Sequence, residues 1–132
     1  MASFHFELVS PDKLMFSGRA ESVLVPGSEG DFVVLAGHAP VMASLRPGVV
    51  VIKDARGKRT RIFVRGGFAD VGHDGLILLA ETAIPASELD RTRLDQEIQN
   101  AEEDLADAPN DQKRLAQEKL DRLRELRDAM KF

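Results

Sequence analysis

The sequence predicts a β + α fold, an N-terminal antiparallel β-sandwich or barrel over residues 1–86 followed by a C-terminal antiparallel two-helix hairpin over residues 87–132. Three observations carry this. All ten glycines lie between Gly18 and Gly75, and six of the seven phenylalanines precede residue 69. After Ile84 the only Val or Ile is Ile98. Near Pro85 the apolar spacing changes from period two to a helical period. Aromatic and β-branched residues suit a pleated, half-buried surface, and glycine supplies the tight turns between short strands.

Taken in order, "SFHFELVS" places Phe4, Phe6 and Leu8 on one face of a strand with His5 and Glu7 opposite. "ESVLVPG" reads as another strand, and "DFVVLAG" as the one after it. "GVVVIKD" and "RTRIFVRGG" flank "ARGK", a short Gly-containing connection that reads as a hairpin; "FADV" and "LILLAET" flank "GHDG" in the same way. Antiparallel pairing is expected throughout, because a parallel pair calls for a crossover helix and no segment before Pro85 is long enough to supply one.

Beyond Pro85, Leu94, Ile98, Ala101 and Leu105 follow a 4-3-4 spacing, and Ala116, Leu120, Leu123 and Met130 continue a similar stripe past "DAPND". Two helices of about 20 residues, each ~30 Å long, are expected, with Ser87 capping the first and Asn110 the second. Residues 88–107 carry eight acids against two arginines, and residues 110–132 seven bases against five acids. The arms therefore attract each other. A hairpin with such narrow apolar stripes buries little surface, so its closed form is expected to be marginal. Opened, it would present Arg114, Lys119, Arg122, Arg124, Arg127 and Lys131 to an acidic groove on another protein.

Composition removes several function classes. The 132-residue chain has a net charge of −4, which lacks the clustered basic surface a nucleic acid requires. Without cysteine there is no disulfide, thiolate nucleophile or cysteine-ligated metal, and His5, His38 and His73 show no metal-ligand spacing. The longest apolar runs, such as "GVVVI" and "LILLA", are far short of the ~20 residues of a membrane-spanning helix. The start "MASFHFELVS" has neither a secretory signal nor a presequence pattern, so a bacterial cytoplasmic product is expected.

The densest turn chemistry is "PGSEGDFVVLAGHAP", Pro26 to Pro40. It is not a phosphate loop, because no Lys-Ser/Thr follows the glycines and no helix opens from them. His38 has no identifiable nucleophile or carboxylate partner in the sequence, and Ser28, Ser44 and Ser87 lack GxSxG surroundings. Turns that punctuate strands, with a histidine bonded to backbone or shown to a partner, account for the stretch. No active site of the chain's own is expected.

The order "VPGSEGDFVVLAGHAPVMASLRPGVVVI", then "IFVRGGFADV" and "LILLAETAI", resembles the epsilon subunits of bacterial F-type ATP synthases, whose PGxEG, GHAP, PG and GGF motifs occur in this sequence order. The resemblance spans the whole chain. It implies a noncatalytic central-stalk subunit that couples proton transport to ATP synthesis, with a hairpin that restrains ATP hydrolysis. The implied partners are the gamma subunit, the c-subunit ring and, when the hairpin extends, the alpha and beta catalytic subunits. Nucleic acid is not among them, and the membrane is reached only through the complex, at the cytoplasmic face of the bacterial inner membrane. Glu29, Asp31 and His38 are implied to face the c ring, and Arg114, Lys119, Arg122, Arg124 and Arg127 of the second helix to meet the catalytic subunits. Some members of that family bind ATP through Ile/Leu-Asp-x-x-Arg-Ala. Here "LDRTRL" supplies Leu89, Asp90 and Arg93 with Leu94 in place of Ala, so Asp90 and Arg93 stand either as a weak nucleotide site or as an ordinary intrahelical pair. No cofactor beyond such weak ATP binding is implied. The alternative function is an ATP-sensing regulatory module whose hairpin closes on nucleotide.

Overall fold

Ten strands occupy the first 86 residues of the computed structural model, which describes the backbone of residues 2–130 and side chains as far as residue 128. Lys131, and the side chain of Met130, lie outside the described residues. One sheet contains β1 (Phe4–Val9), β2 (Leu14–Ala20), β5 (Val41–Ser44), β8 (Gly67–Val71) and β9 (Gly75–Ala80), in the order β2-β1-β9-β8-β5. The other contains β3 (Ser22–Gly27), β4 (Gly30–Leu35), β6 (Gly48–Lys53), β7 (Arg59–Val64) and β10 (Ala83–Pro85), in the order β10-β7-β6-β3-β4.

The period-two pattern dictates the core. Phe4, Phe6, Leu8, Ala69, Val71, Leu76, Leu78 and Ala80 of the first sheet face Val23, Val25, Val34, Val50, Ile52, Ile62 and Val64 of the second, all of them buried in one cluster. Full burial of each large side chain contributes about 1.5–3 kcal/mol of transfer free energy. His5 stays exposed and Glu7 half-buried on the opposite face of β1.

Pairing corrects one expectation. β1 and β9 run parallel, with His5 opposite Gly75 and Val9 opposite Leu79. No crossover helix is needed, because β1 and β9 are separated in sequence by most of the sandwich, and that intervening chain is the crossover. The remaining strand pairs are antiparallel. At the parallel pair the backbones come so close that a Cβ on Gly75 would lie 2.2 Å from the His5 carbonyl oxygen.

The chain separates into two compact units, the second beginning at Ser87. Its helices are α1 (Arg91–Asp107) and α2 (Lys113–Met130), 17 and 18 residues long and so ~26 Å each at 1.5 Å per residue. Leu94, Ile98 and Ala101 of α1 are buried, as are Leu120, Leu123 and Leu126 of α2. The Leu105 carbonyl at the end of α1 accepts from the Ala108 N–H at 3.3 Å and, across the connection, from the Lys113 ammonium at 3.3 Å.

Both expected caps shift. Ser87 lies in a 3₁₀ turn, Ala86–Glu88, and the residue capping α1 is Asp90, extended at φ −107° and ψ 179°, whose Oδ1 accepts from the Arg93 N–H. Because the chain closes that 3₁₀ turn before it enters the α-helix at Arg91, Ser87 lies outside the cap position. Asn110 opens a 3₁₀ turn, Asn110–Gln112, and makes no capping bond; α2 proper begins at Lys113. Pro109, at φ −60° and ψ 155°, has its carbonyl accept from Gln112 N–H, so this turn consumes the residues that were expected to start the helix.

Candidate partner-contact surfaces

The first surface is built by the β3–β4 hairpin. Its register runs to Gly27 opposite Gly30, leaving Ser28 and Glu29 as a two-residue turn. A Cβ on Gly27 would come within 2.6 Å of the Gly30 carbonyl oxygen, so only glycine fits there. A backbone bond ties the turn to the other sheet, Ser28 N–H to Ser44 C=O at 2.8 Å, and Arg46 N–H, just past β5, donates to Pro26 C=O of β3 at 2.9 Å. β4 and β5 are the edge strands of their sheets. Between them opens a cleft of about 540 Å³ whose walls include Ser28, Glu29, Phe32, His38, Met42 and Ser44.

Two of the three residues expected at this rim therefore share it. Glu29 and His38 line the cleft, whereas Asp31 projects from the other face of β4 and pairs with Arg46, Nη2 to Oδ1 at 3.0 Å. His38 sits past the far end of β4, its N–H donating to Leu35 C=O, and its ring is 6.3 Å from that of Phe32. Its Nδ1 donates to the Ala39 carbonyl at 2.6 Å. That bond orients the imidazole on its own backbone, and no bond joins it to the Ser28 or Ser44 hydroxyl among the described residues. Nor do the described residues include a group of His, Asp or Glu able to hold a metal ion.

Arg46 was not anticipated from sequence, since it meets a partner fifteen residues away only because its N–H bonds to Pro26, which the β3–β4 register sets opposite Asp31. The outer face of the first sheet was missed as well. Phe68 and Leu79 are cross-strand partners, Ile77 lies opposite Asp70, and Met42 is on Asp70's other side. Phe68, Leu79 and Met42 are 55%, 52% and 70% exposed. The signal was present in "LILLA", whose residues are apolar on both faces of β9.

On α2, three of the five expected bases already meet carboxylates. Arg122 reaches Glu125 at 3.4 Å, Arg124 reaches Asp121 and, across the hairpin, Glu102 at 3.9 Å each, and Arg127 reaches Asp128 at 3.6 Å. Arg114 and Lys119 make no ion pair among the described residues. Such exposed pairs are worth about 0–1 kcal/mol each. Asp90 caps α1 and Arg93 lies in its first turn, both exposed, but the Asp90 carboxylate meets the Arg93 backbone N–H rather than its guanidinium. Leu94, in the Ala position of the nucleotide motif, is completely buried.

A family model described as the ATP synthase delta/epsilon chain β-sandwich domain matches residues 3–86. The chain belongs to the ATP synthase epsilon-chain family. The ATP synthase epsilon chain of Parvibaculum lavamentivorans is 56% identical over 124 residues, 93% of this chain and 94% of that one. The epsilon chain of Mesorhizobium japonicum is 51% identical over 112 residues, 85% of this chain and 83% of its own. The fold also matches a chain in the Euglena gracilis mitochondrial ATP synthase OSCP/F1/c-ring structure, with TM-score 0.75 at 23% identity, over 98% of this chain and 82% of that one. A chain in the central stalk/c-ring structure of the Tetrahymena thermophila mitochondrial enzyme matches at TM-score 0.51 and 17% identity, over 69% of each. The family match on the sandwich and the relatives' coverage of the helices together account for both units of this epsilon-family member.

Proposed function

We propose that this chain is a noncatalytic subunit of the central stalk of a bacterial proton-driven ATP synthase, coupling proton transport to ATP synthesis at the cytoplasmic face of the membrane. The observation that carries the reading is the alignment of named epsilon chains over nearly the whole chain, 93% of it in the most identical relative named above. The exposed apolar face around Phe68, Ile77, Leu79 and Met42 supports a gamma-subunit contact, because a lasting interface buries apolar surface that a monomer rarely leaves open. The rim with Glu29 and His38, stiffened by the backbone bonds of Ser28 and Arg46, suits the c ring, with Asp31 at its flank.

The hairpin is the restraining element in this reading. Its closed form rests on a small buried stripe and on exposed ion pairs of low worth, so the loss of Arg124–Glu102 on opening is easily offset when Arg114, Lys119, Arg122, Arg124 and Arg127 meet an acidic surface of the catalytic subunits. Asp90 acts as a helix cap, and with Leu94 buried beside it the ATP-sensing alternative has no observation in its favour.

The test is reconstitution with gamma and the remaining F1 subunits. The full chain is expected to form a one-to-one pair with gamma, and a chain ending at residue 86 to assemble equally well while ATPase activity rises. Unchanged ATPase activity removes the restraining role; no pairing with gamma removes the stalk role. A cysteine at Asp31 is expected to crosslink to the c ring, and isothermal titration of ATP is expected to give no heat that Arg93→Ala abolishes.

A further inference from the structure

Residues 53–61 carry five bases, Lys53, Arg56, Lys58, Arg59 and Arg61, against one acid, Asp54, in a chain of net charge −4. They form the tip joining β6 to β7 and the strand ends beside it. Asp54 is occupied with the turn: its Oδ1 accepts from the N–H of Arg56 at 2.9 Å and of Lys58 at 3.0 Å. None of the five bases makes an ion pair among the described residues. Lys53 and Arg59 are direct cross-strand partners, an arrangement of like charges that destabilises a sheet.

The neighbours of this basic edge are apolar. Lys53, Arg59 and Arg61 alternate with core-facing Ile52 and Ile62, so they project from the outer face of their sheet. On that face one cross-strand row runs Leu35, Ser22, Lys53, Arg59, and the next runs Val33, Leu24, Val51, Arg61. Val33 and Leu35, on edge strand β4, are 49% and 55% exposed. The face thus passes from aliphatic to basic over four strands, ~14 Å at the usual strand spacing, about the width of one helix.

We propose that this outer face is a docking surface for an acidic amphipathic segment of another polypeptide, its apolar stripe on Val33 and Leu35 and its carboxylates over Lys53, Arg59 and Arg61. Aliphatic side chains beside the bases distinguish it from a phosphate-backbone site, which would gain nothing from them. An anionic bilayer would meet the chain's whole negative surface along with the patch, whereas a single segment meets the patch alone.

The experiment uses the full chain and a synthetic 20-residue helical peptide with leucine on one stripe and glutamate elsewhere, followed by fluorescence anisotropy. Binding is expected to weaken with salt and to fall by about tenfold or more in the double variant Arg59→Glu, Arg61→Glu. Leu35→Ser is expected to weaken it too, while Lys13→Glu, a charge reversal elsewhere on the sandwich, leaves it unchanged, all variants keeping the parent's circular dichroism. The proposal is overturned by absence of binding, by equal loss with Lys13→Glu, or by indifference to Arg59→Glu, Arg61→Glu. It is also overturned if phosphatidylglycerol vesicles bind through Arg59 and Arg61 and the peptide does not.

Discussion

Leu123→Ala probes how weakly the helical hairpin is held. Leu123 is fully buried on α2, and a buried Leu→Ala change costs about 2–5 kcal/mol from lost transfer energy plus the cavity left behind. Leu115, on the same helix, is 55% exposed, and its replacement is expected to stay within about 0.5 kcal/mol. The two substitutions change helix propensity identically, so propensity cancels in their difference. What remains, about 3 kcal/mol, corresponds to roughly a 150-fold shift in an opening equilibrium. Amide hydrogen exchange on the free chain reads that equilibrium directly. α1 and α2 amides are expected to exchange roughly two orders of magnitude faster in Leu123→Ala than in Leu115→Ala, while β1, β6 and β9 keep their protection, because the sandwich core is complete within the first unit. Equal exchange in the two variants would show that the α2 stripe does not hold the hairpin, and the expected ease of opening would lose its basis.

Gly75→Ala and Gly57→Ala share the handicap of positive φ, +155° and +83°, but Gly57 faces open space while Gly75 abuts the His5 carbonyl. Urea unfolding is expected to show a loss of about 1 kcal/mol for Gly57→Ala and at least about 3 kcal/mol for Gly75→Ala; matching losses would deny the close approach of β1 and β9. Asp90→Ala removes the cap on α1 and is expected to cost about 1 kcal/mol, read as faster exchange of the Arg93 and Leu94 amides, whereas no change would return the cap to Ser87. For Arg46 and Asp31, both partly exposed, a double-mutant cycle is expected to give a coupling of at most about 1 kcal/mol that shrinks with salt.

The features that were legible in the sequence are those that depend on near neighbours. The alternation Phe4, Phe6, Leu8 fixes which face of β1 is buried, because successive strand residues must point oppositely, and the glycine-containing links "ARGK" and "GHDG" join strands that pair with each other. The stripe Leu94, Ile98, Ala101 is buried as its period demands. What was not legible requires knowing which distant strands meet. The parallel β1–β9 pair is invisible locally, since parallel and antiparallel strands share one side-chain period and differ only in how the chain returns.

The caps show the same limit at shorter range. Ser87 and Asp90 are both good capping residues within four positions, and propensity does not choose between them. Backbone conformation does: residues 86–88 close a 3₁₀ turn and Asp90 is extended, so the α-helix begins at Arg91 and Asp90 is the residue placed to accept the Arg93 N–H. The choice has a consequence for function. A carboxylate already accepting the Arg93 N–H has one lone-pair direction fewer for a ligand, and withdrawing it would uncap α1. Any nucleotide that recruited Asp90 would therefore have to offset the lost cap, which makes α1 itself a source of discrimination against weak ligands. At the rim, Asp31 illustrates the converse case. Its sequence neighbours Glu29 and Gly30 put it in a turn region, but strand alternation turns it away from the cleft and onto Arg46. A c-ring contact through Asp31 must then either break that pair or include Arg46.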